Sequence, residues 1–108
     1  KLYRAVLDEF NPAQILIIIS NHAIRLLELL AEKEETNLSI KQLIESSRPP
    51  IFFKRHASFQ KQLNTWNRNL LSDMLEILYE TTVETRKNSD LSIELTERCL
   101  LKISSLKN

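Results

Sequence analysis

The sequence predicts an all-α protein, a single bundle-like domain of five or six helices. Three observations carry that expectation. None of the 108 residues is glycine, and tight β-hairpin turns lean on glycine for positive φ. Nineteen leucines dominate the apolar positions, without the alternating β-branched and aromatic runs that mark strands. The apolar residues instead recur three and four apart through most of the chain, as one face of a helix requires. The length suits one core and is short for two, and no internal repeat, low-complexity tract or linker divides residues 1–108.

At the start, Leu2, Tyr3, Val6, Leu7 and Phe10 fall at helical spacing and read as the end of a helix. The chain opens Lys1-Leu2-Tyr3, with neither an initiator methionine nor a signal-peptide progression, and is expected to be a piece of something longer. Asn11 then caps and Pro12 takes the first helical position, where its missing N–H costs nothing. The helix that follows should run to about Lys33, with Ile15, Leu16, Ile19, Ala23, Leu26, Leu27 and Leu30 on its core side. Its apolar run Ile15 to Ile19 is broken by Ser20, Asn21 and His22, short of the roughly 18 apolar residues of a membrane span. That pattern predicts a buried helix of a soluble protein.

After the acidic corner Glu32 to Asn37, Ser39 and Gln42 have the spacing of a capping box, with Leu38 and Leu43 placed to staple around it. A short helix from Ile40 to about Ser46 follows. Ser47-Arg48-Pro49-Pro50 ends it, because each proline drives its predecessor out of the α region and supplies no donor. Beyond the prolines, His56, Phe59, Leu63 and Trp66 share one face of a helix predicted over 53–65, as structural core. Asn67 caps a helix of about Arg68 to Lys87, with Leu71, Met74, Leu75, Leu78 and Thr82 inward. Asp90 caps the last, about Leu91 to Leu106, with Leu95, Cys99, Ile103 and Leu106 inward.

Composition narrows the chemistry. Without glycine, neither a phosphate-cradling loop nor a dinucleotide-binding turn can form in the usual way, since both need glycine where backbone approaches phosphate. The single cysteine, Cys99, cannot form an internal disulfide and reads as a small buried hydrophobe of a reduced, cytoplasmic protein. His22 and His56 lie thirty-four residues apart with no accompanying ligand set, so no metal site is expected. Glu76, Glu80 and Glu84 align on one helix face without a histidine at di-metal spacing, which describes a solvated face. No catalytic residue and no cofactor is indicated.

Charge is where the sequence is uneven. Residues 1–45 hold seven acids and five bases, as do residues 73–108, whereas 46–72 hold Arg48, Lys54, Arg55, Lys61 and Arg68 with no acid. Into the same stretch are drawn Pro49, Pro50, Phe52, Phe53, Phe59 and Trp66. Basic residues interleaved with aromatics suggest phosphate contacts plus base stacking, so a small helical nucleic-acid-binding domain using residues 48–68 is one reading. Against it, Phe59 and Trp66 share the inward stripe with Leu63, and a buried ring cannot stack on a base. The other reading is a protein-interaction surface on Phe52, Lys54, Arg55 and Gln62, the residues off that stripe or beside the proline corner.

Pro49-Pro50-Ile51-Phe52-Phe53-Lys54-Arg55, followed by Phe59, Leu63, Trp66 and a leucine-rich helix, resembles the carboxy-terminal domain of the delta subunit of bacterial DNA polymerase III, part of the sliding-clamp loader. The likeness runs over essentially the whole chain: the Asn11-Pro12 helix looks like the family's long earlier helix and Leu95 to Leu106 like its closing one. The family often has glycine in the turn where this chain has Asn37. The resemblance implies a collar-type helical domain that holds subunits in a ring during clamp loading for DNA replication. ATPase-related domains would lie upstream. Its implied partners are the collar domains of the ATPase subunits and of the delta-prime subunit. Clamp contacts would belong to the absent amino-terminal region, polymerase and ATP chemistry to other subunits, and DNA contact would be indirect.

Overall fold

The computed structural model describes residues 9–106. Among them are five α-helices and no strand: α1 (Pro12–Glu35), α2 (Ile40–Ser46), α3 (His56–Thr65), α4 (Arg68–Lys87) and α5 (Ser92–Ser105). Two single 3₁₀ turns, Phe53–Arg55 and Ser89–Leu91, lead into α3 and α5. The expected helix end at residues 2–7 lies outside the described residues, and Phe10 is exposed.

Helices α1, α2 and α4 begin where a neighbouring side chain satisfies one of their free N–H groups. Asn11 Oδ1 accepts from the Ala13 N–H at 2.8 Å, with Pro12 in the first helical position. Ser39 and Gln42 form a complete capping box: the Gln42 N–H donates to Ser39 Oγ at 3.2 Å and the Ser39 N–H to Gln42 Oε1 at 2.9 Å. Leu43 is fully buried behind it, while Leu38 stays exposed. Asn67 Oδ1 accepts from the Leu70 N–H at 2.8 Å to open α4, and Arg86 and Lys87 complement the dipole at its far end.

Helix α1 touches all four others, with its longest interface on α4, which packs in turn along α5. Helices α2 and α3 pair with each other and lie against α1. The buried side chains form one cluster drawn from every helix, among them Leu16, Ala23, Leu26 and Leu29 of α1, Leu43 and Ile44 of α2, Phe59 and Leu63 of α3, Leu71 and Leu78 of α4, and Cys99 of α5. Burying a leucine side chain contributes about 1.5–3 kcal/mol, so this shared cluster is what fixes the corner described below.

Several expectations shift. Helix α1 is not buried all round: Ile17, Ile18 and Ile24 are 59 %, 66 % and 45 % exposed, and Leu29 joins its inner stripe as a buried residue while Leu30 packs half-buried at the margin of the core. Averaged over an 18-residue window its hydropathy reaches 1.4, so by length and composition α1 is apolar enough to cross a membrane, which counting the Ile15 to Ile19 run alone hides. On α4 the buried threonine is Thr81 and not Thr82, and on α5 Thr96 is fully buried while Leu95 is only half so. Asp90 does not cap α5. It sits inside the 3₁₀ turn closed by the Leu91 N–H on the Asn88 carbonyl at 2.9 Å, and α5 starts without a side-chain cap.

Candidate functional site

The proline corner is built from backbone outward. Helix α2 ends at Ser46, the Arg48–Pro49 peptide is cis, and the chain then runs through Pro50 and Ile51 before turning into α3. Arg25, on the facing side of α1, clamps it. Its guanidinium donates to Ser47 Oγ and to the carbonyl oxygens of Pro49 and, at 3.2 Å, Arg48. Ser47 is buried and its hydroxyl also donates to the Pro49 carbonyl at 3.3 Å. These bonds place partners on carbonyls that the prolines leave without helical ones.

Two further bonds shape the corner. The His56 ring donates through Nε2 to the Ile51 carbonyl at 2.8 Å, since the carbonyl can only accept. The Arg55 N–H reaches the Phe52 carbonyl at 2.8 Å, an i+3 bond, which is why the first turn is 3₁₀ and α3 proper begins at His56 instead of residue 53. Phe52 and Phe53 are left outside, 58 % and 68 % exposed, edge to face with ring centroids 5.0 Å apart.

Phe59 roots α3 in the core. The ring is buried, meets the edge of His22 at 5.0 Å and 76°, and carries the Arg55 guanidinium over it at 5.1 Å. Leu63 is buried one turn further on. His56 and Trp66 are half-buried, Trp66 as the residue that ends α3 and packs at the margin of the core. Of the four residues expected to face a partner, Phe52, Lys54 and Arg55 are exposed and adjacent, whereas Gln62 turns inward: it is half-buried, with Oε1 2.7 Å from His22 Nε2.

Between α1 and the corner lies an open cleft of about 480 Å³ whose walls include Ile18 and Arg25 of α1, Pro50 and Phe52 of the corner, and Arg55 and Phe59. No carboxylate lines it among the described residues. Sequence spacing could not reveal the α1 side of this cleft, because the partners of His22 and Arg25 lie between twenty-two and forty residues further along the chain. Two of the five cations of residues 46–72 are engaged within the chain. Arg48 donates to the Ser47 carbonyl at 3.2 Å and Arg68 pairs with Glu34 at 2.8 Å across the surface.

Elsewhere the chemistry is quiet. Among the described residues no group of three or more His, Cys, Asp or Glu side chains could hold a metal ion, and Glu76, Glu80 and Glu84 are exposed. Burial pushes the Cys99 thiol above its ordinary pKa of 9.0, with Thr81 and Lys102 pulling the other way. Compared with protein-family models, curated proteins and solved structures, the chain matches none.

Proposed function

We propose that this chain is a non-enzymatic assembly domain: the carboxy-terminal collar domain of the delta subunit of a bacterial DNA polymerase III clamp loader, acting in the cytoplasm. It would hold the ATPase and delta-prime subunits in a ring while the sliding clamp is loaded for replication. The observation that carries this reading is the proline corner. Its backbone is pinned by Arg25 and His56, and the residues it leaves outside are two aromatic rings beside Lys54 and Arg55, of which the aromatics and the arginine are types favoured at protein interfaces. The proline-aromatic-basic motif that resembles the delta family is the same segment.

The test is reconstitution. The purified chain is mixed with the ATPase and delta-prime subunits and the mass of the complex is read by light scattering. A stoichiometric complex is expected; a folded chain that stays alone sinks the proposal. A salt titration against single-stranded DNA separates the nucleic-acid reading, for which affinity should fall steeply as salt rises because each neutralised phosphate releases counterions.

A further inference from the structure

We infer that the cleft between α1 and the proline corner is a docking groove for a protein segment that carries a carboxylate next to an apolar side chain, in the setting of the assembly role proposed above. The occupant is a segment of a neighbouring subunit. Its apolar group packs on Ile18, Pro50 and Phe52, and its carboxylate meets Arg55.

Size and lining set the first requirement. A space of about 480 Å³ admits one or two side chains rather than a helix, and pockets of this class are apolar with a few placed polar groups. Ile18 and Phe52 are 66 % and 58 % exposed on its walls. Apolar area left open on two facing elements gains by being covered.

Charge sets the second. The cleft has two guanidinium groups and no carboxylate among the described residues. Arg25 is already committed to Ser47 and to the Arg48 and Pro49 carbonyls. Arg55 differs: its guanidinium rests over the Phe59 ring and donates no side-chain hydrogen bond among the described residues. An arginine held over a buried ring, 5.1 Å from its centroid, is oriented in advance, so less side-chain entropy is lost when it grips a carboxylate through two parallel bonds.

The same features argue for protein over nucleic acid. A phosphate backbone is bound by several cations in a row, and here one uncommitted guanidinium stands among apolar walls. One arginine beside a hydrophobic floor matches an acidic residue flanked by an aliphatic or aromatic one.

The experiment has two arms. In the first, the ¹⁵N-labelled chain is titrated with the peptide acetyl-Asp-Leu-Phe-Glu-amide and with its Asn/Gln counterpart. Shifts at Ile18, Phe52 and Arg55 with the acidic peptide and not the neutral one are expected. Equal shifts with both, or shifts away from the cleft, overturn the inference. In the second, assembly with the ATPase and delta-prime subunits is compared for the native chain, Arg55→Glu, Ile18→Asp and Lys61→Glu, each checked for a native circular dichroism spectrum.

Arg55→Glu and Ile18→Asp should weaken association by about thirty-fold or more, and Lys61→Glu should leave it unchanged. Two cleft variants that assemble like the native chain overturn the groove while the assembly role stands. Acidic-peptide binding in the cleft by a chain that does not assemble leaves the groove and removes that role. Arg55-dependent binding of an oligothymidylate, or a homodimer that Arg55→Glu dissolves, overturns the inference in favour of those occupants.

Discussion

The guanidinium of Arg25 donates to the hydroxyl of Ser47, joining the middle of α1 to the end of α2 across twenty-two residues of chain. Because the same side chain also holds the Arg48 and Pro49 carbonyls, it is the tie that sets where Phe52 and Arg55 stand. Arg25→Ala removes the donor, leaving the Arg48 carbonyl to find water and the buried Ser47 hydroxyl and the Pro49 carbonyl with only each other. The expected loss is about 1–3 kcal/mol in urea denaturation. Arg25→Lys should recover little of it, since an ammonium is a point donor without the planar fork. Native stability in both variants would show that the clamp is incidental.

Phe59 and Trp66 share one helix face but not one environment. Phe59 is buried between His22 and Arg55, so Phe59→Ala should cost about 3–5 kcal/mol. Trp66 is half-buried at the end of α3, and Trp66→Ala should cost about half as much. Chemical denaturation of both variants, with the slope compared to exclude a change in the unfolded state, gives the order directly. The reverse order would mean that the indole, not the phenyl ring, anchors α3.

The capping box offers a local test. Ser39→Ala removes the acceptor of the Gln42 N–H and should destabilise by about 1 kcal/mol. Gln42→Ala breaks the reciprocal bond to the Ser39 N–H. Since the two bonds close one motif, the double variant should lose less than the two single losses added together. Thermal melts of the three variants decide it.

Cys99 should be inert. Burial raises its pKa, so at pH 8 the folded chain presents a neutral, covered thiol, and a thiol reagent should modify it only as fast as the chain opens. The sign of the pH effect follows. The unfolded thiol ionises first, near 9.0, and releases its proton while the folded thiol keeps its own. Stability contributed by the neutral thiol is therefore fully present below that pH and is lost as pH rises through the folded value. Replacing Cys99 by alanine should flatten the alkaline limb of the stability curve. Rapid labelling of the native chain at pH 8 would contradict this.

What the sequence makes legible is chemistry that closes within a few residues. Asn11 before Pro12, Ser39 with Gln42, and Asn67 ahead of α4 each announce a helix start, because donor and acceptor lie two or three positions apart. The inward phase of Phe59 and Leu63 is equally local. Three things are not. The five-residue apolar run of α1 says that one side is buried but not how much of the circumference, and Ile17, Ile18 and Ile24 remain outside. Gln62 lies off the apolar stripe of its own helix, yet His22, forty residues earlier, draws it in. Arg25 looks like an ordinary surface base until the fold brings Ser47 to it. In each case the deciding partner belongs to another helix, and spacing within one segment carries no information about it.

The described backbone contains no residue with positive φ; Asn37, standing where a glycine would permit left-handed backbone, does not use it. Helices α1, α2 and α3 end by passing into extended conformation at Thr36, Ser47 and Trp66 rather than through a left-handed residue. A chain whose described corners need no left-handed residue can dispense with glycine there, and each glycine dispensed with removes conformations from the unfolded ensemble, worth about 0.4–1 kcal/mol relative to alanine. The disordered form of this protein is thus stiffer than that of an average chain of its length, and part of its resistance to unfolding resides in a state where none of the contacts above exists.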